Sequence, residues 1–433
     1  MQNKTRYYRL SRKWSLARET NENQQVPYRG AENCGPNFNY PGGDQAPHLL
    51  EDTLVSDPRY RQLAKLLIHH STRLQANEKI LIEATHVPEA MLAALVEEAS
   101  AVGAIPLVEM KSLRLQRAWL RSGTAEQVDA RTKLQGELEL ARMKRMDAYI
   151  GLRGSDNITE MSDVSTENIG LFEQNLMKPV HIEQRVKHTR WCVLRWPNGS
   201  MAQQAGMSTE AFEDFYFRVC LTDYARMDKA VQPLKELMNR TDRVRIVGED
   251  TDLSFSIKGI GAVPCCGTCN IPDGECFTAP VKDSVEGYIH FNSATIYRGT
   301  PFDNIRLTFK EGRVVDSHCN NNEALLAILN SDEGARYFGE FAIGFHPHIQ
   351  NPMRDILFDE KIRGSLHLAL GQCYEETENG NRSKIHWDLV LRQEQGGEIY
   401  FDDVLVRKDG LFVLPDLKGL NPEELAGAEC QLV

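Results

Sequence analysis

The chain has 433 residues, of which 41% are hydrophobic and 26% charged, a composition typical of a soluble globular protein. Its formal net charge of −11 argues against a nucleic acid or an anionic membrane as a partner, because both require a basic surface. The sequence has no apolar run of about 18 residues and no apolar segment near its N-terminus, so we expect a cytoplasmic protein with no membrane span, no secretory signal and reduced cysteines.

The first half of the chain predicts a polar extension followed by an α/β domain. Residues 1–51 are polar and contain many proline and glycine residues, a composition that buries little. Ser56 or Asp57 caps the first helix, with Pro58 in its first turn. The predicted segments that follow are a strand at 79–84, a helix at 88–102, strands at 105–110 and 147–154, and helices at 124–145 and 208–239. The first three form a βαβ unit, so we predict an N-terminal α/β domain over residues 52–240 with a largely parallel sheet.

The second half predicts a β-rich domain. From about residue 243, apolar and polar residues alternate in short runs, at 244–247, 253–257, 288–291, 304–309 and 313–315. Turn pairs such as Glu311-Gly312 and Asp409-Gly410 separate such runs. A length of 433 residues is large for one core, so we expect a second, mostly antiparallel β-rich (α+β) domain over residues 241–433. Neither a G-x-G-x-x-G nor a Walker A motif follows a strand, so the sequence gives no support for nucleotide binding.

Within that domain, the segment around His386 has the pattern of a strand that carries metal ligands. Alternate residues of a strand point to one face, so His386 and Asp388 share a face, and Trp387 lies on the opposite, apolar one. An imidazole and a carboxylate two residues apart form half of a metal site. The alternative is a buried hydrogen bond between the two side chains.

A second strand and three acidic positions add to this pair. On residues 365–371, His367 shares a face with an alanine and a glycine, which leave space in front of the imidazole. Glu275 begins a short apolar run after a turn, and Glu340 lies inside a glycine-bounded apolar run, where an ionised side chain needs a partner. Glu360 follows another acidic residue just before this strand. Together these residues are sufficient to ligate two close divalent ions, one carboxylate bridging them, although a single ion needs fewer.

These motifs resemble those of the thermophilic aminopeptidase family of metallopeptidases, the aminopeptidase T and aminopeptidase S type. The resemblance covers roughly residues 55–433 and is specific as a set. Two departures are the extension of about fifty residues and the cysteine cluster at 265–276, whose thiols lie beside the first acidic motif. The matching segments, in order, are GAIP (103–106), MAQ (201–203), NIPDGECFTAP (270–280), GEFAIG (339–344), LFDEK (357–361), HLALG (367–371) with Tyr374, and IHWD (385–388).

The resemblance implies a cytoplasmic, homodimeric exopeptidase that acts on peptides with a free N-terminus. Its cofactors would be two divalent metal ions: zinc, cobalt, manganese or magnesium. The residues that match the family's ligands are Glu275, Glu340 as the bridge, His367, His386 and Asp388, and Glu360 matches an acidic residue close to the ions that can ligate one of them.

The same resemblance implies a mechanism in which the ions activate a water and polarise the scissile carbonyl. Tyr374 matches the family's active-site tyrosine and would donate to the developing oxyanion. Either Glu340 or Glu360 would carry the proton to the leaving amine, and the sequence does not decide between them.

Two other functions remain as alternatives. His367, His386 and Asp388 are also the ligand set of a non-haem iron ring-cleaving dioxygenase, and the dihydroxypyridine dioxygenases resemble the same fold family. Glu275, Glu340 and Tyr374 together favour the peptidase, since an iron triad gives them no role. A non-catalytic protein that keeps the fold is the third possibility, and its sign would be a lost ligand.

Overall fold

The computed structural model describes residues 57–427, all of which fall within a single unit. The predicted extension of residues 1–51 lies outside the described residues, and the domain boundary near residue 240 stays a prediction. Among the described residues the α-helices are α1 (Pro58–Lys65), α2 (Glu89–Ala101), α3 (Leu113–Ser122), α4 (Ala125–Met143), α5 (Thr166–Phe172), α6 (Val186–His188), α7 (Gly199–Gln204), α8 (Thr209–Cys220), α9 (Tyr224–Arg240), α10 (Asn322–Leu329), α11 (Ile356–Asp359) and α12 (Pro422–Ala426).

The other elements are strands and short π or 3₁₀ segments. The strands are β1 (Lys79–Thr85), β2 (Ile105–Lys111), β3 (Ala148–Arg153), β4 (Arg190–Arg195), β5 (Arg243–Gly248), β6 (Thr251–Ser256), β7 (Val263–Cys265), β8 (Asn270–Ile271), β9 (Glu275–Thr278), β10 (Glu286–Phe291), β11 (Thr295–Tyr297), β12 (Thr300–Phe302), β13 (Ile305–Lys310), β14 (Arg313–His318), β15 (Phe338–Gly344), β16 (Ser365–Gly371), β17 (His386–Arg392), β18 (Glu398–Phe401), β19 (Val404–Lys408) and β20 (Leu411–Phe412). The π-helical segments are Leu66–Ser71 and Glu173–Arg185, and the 3₁₀ segments are Glu333–Arg336 and Pro415–Leu420.

The first sheet is parallel, as the sequence predicts. Within the described residues it runs in the order β2-β1-β3-β4-β8, and every neighbouring pair in it is parallel. The apolar run of β1 is buried because helices cover a parallel sheet on its faces. Asp57 caps α1 by accepting a hydrogen bond from the backbone N–H of Arg59 at 2.9 Å, which confirms one of the two predicted caps.

The later strands form antiparallel sheets, which confirms the β-rich prediction. In the described part of the chain, one sheet runs in the order β14-β13-β10-β6-β5-β18-β19-β20 and another in the order β17-β16-β15-β9-β7. Glu311 and Gly312 join β13 to β14 with φ angles of 50° and 76°. Two adjacent positive φ angles match the right-handed twist of a hairpin, which is why glycine is favoured at such a turn.

The prediction of one helix over residues 208–239 is wrong. The segment forms two helices, α8 and α9, separated at Leu221–Asp223. Ser208 caps the first by accepting from the N–H of Ala211, as expected. Asp223 accepts from the N–H of Arg226 and caps the second, and its short acceptor side chain favours a helix start over a helix interior.

His346, just after β15, links the two halves of the fold. Its Nε2–H donates to the carbonyl of Val219 in α8 at 3.0 Å, and its Nδ1 accepts from the N–H of His348 at 3.2 Å. Both ring nitrogens are therefore used in the neutral form. Burial, and then the nearby His348 ring, lower the pKa of His346 to about 3.

No helix in the described part of the chain is both long enough and apolar enough to cross a membrane.

Candidate metal centre and active site

Three neighbouring antiparallel strands carry most of the predicted site. Glu340 on β15 lies opposite Ala369 on β16, and Ala369 lies opposite Asp388 on β17. Because alternate residues of a strand share a face, His367 lies on the same face as Ala369, and His386 on the same face as Asp388. The small Ala369 side chain leaves the space between the two carboxylates open.

Glu340 lies between the two imidazoles. Its Oε1 is 3.5 Å from Nε2 of His367, and its Oε2 is 3.2 Å from Nε2 of His386. The Oδ1 of Asp388 is 3.3 Å from the same His386 nitrogen. Glu340 is only 3% exposed and His367 only 1%. Each carboxylate oxygen of Glu340 thus faces a different histidine, as a bridging ligand requires.

A buried lysine holds two more carboxylates. Nζ of Lys361, whose side chain is 2% exposed, donates to Oε1 of Glu275 at 2.6 Å and to Oε1 of Glu360 at 2.5 Å. It also lies 3.7 Å from Oδ1 of Asp273. The other oxygen of Glu275, Oε2, is buried and has no hydrogen-bond partner among the described residues. Such an unsatisfied acceptor is costly, and a cation ligated by this oxygen would remove the cost.

The orientation of His386 is fixed from two sides. Its Nδ1–H donates to the carbonyl of Gln372 at 2.7 Å, so Nε2 is free to ligate. The next residue, Trp387, packs on the reverse face with ring centroids 4.8 Å from both Tyr297 and Phe302. The hydroxyl of Tyr374 is 3.3 Å from Nε2 of His386. Tyr374 is 44% exposed, so part of the residue faces solvent while its hydroxyl reaches the site.

The centre has an excess of negative charge. Among the described residues, five carboxyl groups lie around one ammonium, so four negative charges remain when all five are ionised and both imidazoles are neutral; the residues are Asp273, Glu275, Glu340, Glu360, Asp388 and Lys361.

The pKa values reflect this excess. Burial lowers the pKa of His367, but the carboxylate of Glu275 and the hydrogen bond to Glu340 outweigh it, and the pKa rises to about 10. Burial also lowers the pKa of His386, but the carboxylate of Asp388 outweighs it and raises this pKa well above its usual value. The centre therefore attracts cations.

The donor set fits two divalent ions. Glu275, Glu340 and His367 offer ligand atoms within 4.8 Å of one another, and so do Glu340, His386 and Asp388. Glu340 belongs to both groups. Carboxylate oxygens with imidazole nitrogens suit zinc, cobalt or manganese.

All seven residues selected from the sequence lie in this centre. Glu360 forms a further ligand group with His367 and Asp388. Sequence reasoning missed the role of Lys361, although this lysine lies within a matched segment. The sequence feature that could have indicated this role is a lysine directly after two acidic residues in an apolar run, because a lysine buried there needs a carboxylate partner. The thiol of Cys265 also lies near Asp273 and Glu275, but burial raises its pKa well above the usual value and disfavours the ligating thiolate.

Comparison with known proteins gives a family match over most of the chain. The model of the thermophilic metalloprotease family (M29) matches residues 56–399. Aminopeptidase PepS of Streptococcus thermophilus is 25% identical over 384 residues, which cover 77% of this chain and 91% of that protein. Aminopeptidase 2 of Geobacillus stearothermophilus is 41% identical over 144 residues, which cover 28% of this chain and 34% of that protein.

Two solved structures have the same fold. Wild-type AmpT from Thermus thermophilus matches with a TM-score of 0.71 at 22% identity, covering 82% of this chain and 99% of that chain. The 2,5-dihydroxypyridine dioxygenase from Pseudomonas putida KT2440 matches with a TM-score of 0.54 at 16% identity, covering 83% and 98%. Because a peptidase and a dioxygenase both match, the fold alone does not assign the reaction.

Proposed function

The chain belongs to the thermophilic metalloprotease family M29, and we propose that it releases N-terminal amino acids from peptides at a centre holding two divalent ions. It is a metal-dependent aminopeptidase. The number of ions and the residues that hold them are the proposed part. The observation that carries this part is the position of Glu340, which lies between His367 and His386 and belongs to two groups of potential ligands.

We assign one ion to Glu275, Glu340 and His367, and the other to Glu340, His386 and Asp388. With the carboxylates ionised and the imidazoles neutral, the forms in which both ligate, the centre has a formal charge of four negative units, which two divalent cations would balance. Oε2 of Glu275 supports the first position, because it makes no hydrogen bond and lies 3.6 Å from Nδ1 of His367, while Lys361 holds the same carboxylate through Oε1. Bound there, the ions would lower the pKa of a water and polarise the scissile carbonyl.

The remaining chemistry belongs to residues beside the ligands. The hydroxyl of Tyr374 would donate to the oxyanion that develops on the carbonyl. Burial and then the nearby carboxylates, Glu340 first, raise the pKa of Tyr374, so its donor proton is kept at neutral pH.

Glu360 is the better candidate for moving the proton to the leaving amine. Both oxygens of Glu340 face imidazoles, whereas Lys361 engages only Oε1 of Glu360. The acidic centre also favours the amino end of a peptide over its carboxyl end, which suits an exopeptidase.

A ring-cleaving dioxygenase is the competing reaction, since the shared fold and the triad of His367, His386 and Asp388 are compatible with it. It would leave Glu275, Lys361 and Tyr374 without a role. The complete ligand set argues against a non-catalytic protein. A homodimer and a cytoplasmic location follow from the resemblance to the family and stay predictions. Sedimentation velocity tests the dimer, and cell fractionation tests the location.

The proposed function is tested by hydrolysis of leucyl-p-nitroanilide with zinc, cobalt or manganese present. We expect cleavage of this substrate, no cleavage of its N-acetylated form, and loss of activity in Glu275→Ala and His386→Ala. Lys229→Ala, which changes an exposed residue of α9, is the matched control and should retain activity. Activity retained in Glu275→Ala with full metal content would contradict the assignment.

A further inference from the structure

The parallel sheet carries a cavity that the proposed chemistry does not use. The chain passes from β1 to β2 on one side and later to β3 on the other side of β1, so the strand order reverses between β1 and β3. Open parallel sheets bind ligands outside the carboxyl ends of their strands at such a reversal. A cavity of about 470 Å³ lies there, lined by the last residues of four strands, Thr85, Lys111, Arg153 and Arg195.

This cavity adjoins a second one, whose lining includes the start of the helix that leads to Glu360. A second cavity of about 400 Å³ shares four lining residues with the first, Leu113, Arg153, Ser155 and Arg195. The second is also lined by Asp355, which caps the one-turn helix α11. Glu360, in the metal centre, follows the other end of that helix.

A contact on the opposite side also joins the cavity wall to the centre. The π-helical segment Glu173–Arg185 contributes Met177 and His181 to the cavity lining, and the chain continues from it into α6. Lys187 in α6 pairs with Glu375 at 2.5 Å, directly after Tyr374.

Two cations in the cavities have neither an ion pair nor a ring contact among the described residues: Arg153 and the exposed Arg354 of the second cavity. Lys111 is paired with Glu83 at 2.8 Å and Glu139 at 3.3 Å, and Arg195 is paired with Asp355 at 3.0 Å. Arg131 stacks on Trp119, with its guanidinium 4.4 Å from the ring centroid.

Of Arg153 and Arg354, only Arg153 lines both cavities, where it is partly buried beside the hydroxyl of Tyr149 and near Glu83 without a close ion pair. A guanidinium matches a carboxylate in a two-point hydrogen bond better than any other side chain.

We propose that Arg153 binds the C-terminal carboxylate of short peptide substrates, and that the joined cavities hold the residues between this carboxylate and the metal centre. The inference rests on the proposed aminopeptidase function and adds its substrate class. The path from Glu360 to Arg153 has three steps: the length of α11, the ion pair of Asp355 with Arg195, and the spacing between strands β4 and β3. Together these steps are on the order of 15–20 Å, which about five extended residues span. The substrates are therefore peptides of about four to six residues with a free C-terminus.

The test compares a leucyl pentapeptide that has a free C-terminal acid with the same peptide as a C-terminal amide. A charge-assisted hydrogen bond of this kind changes binding by about 10- to 100-fold. We expect the KM of the acid to be lower than that of the amide by at least tenfold, with similar kcat, and we expect no such difference for leucyl dipeptides. Equal KM values for the two pentapeptides, measured on the wild-type protein, would by themselves overturn the proposal.

Variants test whether Arg153 is the residue that causes the preference for the free C-terminal acid. Arg153→Gln should remove the preference for the acid, and Arg153→Lys, which keeps the charge without the planar fork, should keep part of it. Arg61→Gln, which changes an exposed arginine of α1, is the matched control and should keep all of it. A preference that survives in folded Arg153→Gln would assign the carboxylate to another residue and overturn the proposal.

Leucyl-p-nitroanilide tests the aminopeptidase function separately from the role of Arg153, because it has no C-terminal carboxylate. If this reporter is cleaved and the acid and amide peptides are treated alike, the inference about Arg153 is wrong and the aminopeptidase function stands. If no aminoacyl substrate is cleaved by metal-loaded protein, the proposed function itself is wrong.

Discussion

Replacing Tyr374 with phenylalanine removes one hydroxyl and keeps the ring. The ring contacts Phe277 and His386 at centroid distances of 5.4 and 4.9 Å, and these contacts survive in Tyr374→Phe. The lost hydroxyl lies 3.3 Å from Nε2 of His386. Because the residue is 44% exposed, water can replace part of its hydrogen bonding, so we expect a change in the free energy of unfolding within about 1 kcal/mol.

The effect on turnover should be much larger. Loss of one donor to a developing oxyanion lowers kcat by about 100- to 1,000-fold. Since the proposed ligands are untouched, metal content should equal that of the wild type, and KM should change little. The assay is steady-state hydrolysis of leucyl-p-nitroanilide, with metal analysis of the same sample. Tyr288→Phe, at a 50% exposed position on β10, is the control and should match the wild type. A kcat for Tyr374→Phe within threefold of the wild type, or a loss of metal, would refute the assigned role.

Three further predictions concern the ligands, their support and the pH dependence of stability. His386→Ala removes a ligand of one proposed ion only, so metal analysis should find about one ion per chain in place of two. Trp387→Ala should lower the free energy of unfolding in urea by about 3–5 kcal/mol, because it empties a packed site against two aromatic rings. The unfolded chain takes up a proton at His346 near pH 6.5, whereas the folded chain does so only near pH 3. Stability from this group is therefore present above pH 6.5 and falls by about 1.4 kcal/mol per unit as the pH decreases below it. The test is urea unfolding of chelator-treated protein between pH 6 and 4. The free energy of unfolding should fall less steeply with decreasing pH for His346→Gln than for the wild type, whereas the exposed control His69→Gln should keep the wild-type dependence. The same pH dependence in the wild type and His346→Gln would contradict the prediction.

Local patterns predicted the strands and the direction of their side chains. Two-residue alternation placed His386 with Asp388, and His367 with Ala369, before any contact was known, because side-chain direction on a strand depends only on neighbouring residues. Similarly, the apolar run of β1 and the amphipathic helix α2 indicated a parallel sheet. The break before Asp223 was missed because the apolar spacing of α8 and α9 continues through it, and only the capping role of Asp223 marks the helix start.

Contacts between distant segments were beyond such patterns. Lys361 meets Glu275 across 86 positions of sequence, and no local feature specifies that pairing. The cavity at Arg153 arises from four strand ends that the sheet brings together. That the guanidinium of Arg153 lacks an ion pair becomes clear only once the partners of Lys111 and Arg195 are known.

The most direct test of the central claim is a titration of metal-free protein with zinc, cobalt or manganese, following aminoacyl hydrolysis and bound metal together. We predict no activity without metal and a rise that reaches its plateau at two ions per chain. Glu340→Ala, which removes the proposed bridge, should bind fewer ions and stay inactive. Full activity of the metal-free wild type would contradict the account, as would a plateau at one iron per chain with ring cleavage in place of peptide hydrolysis.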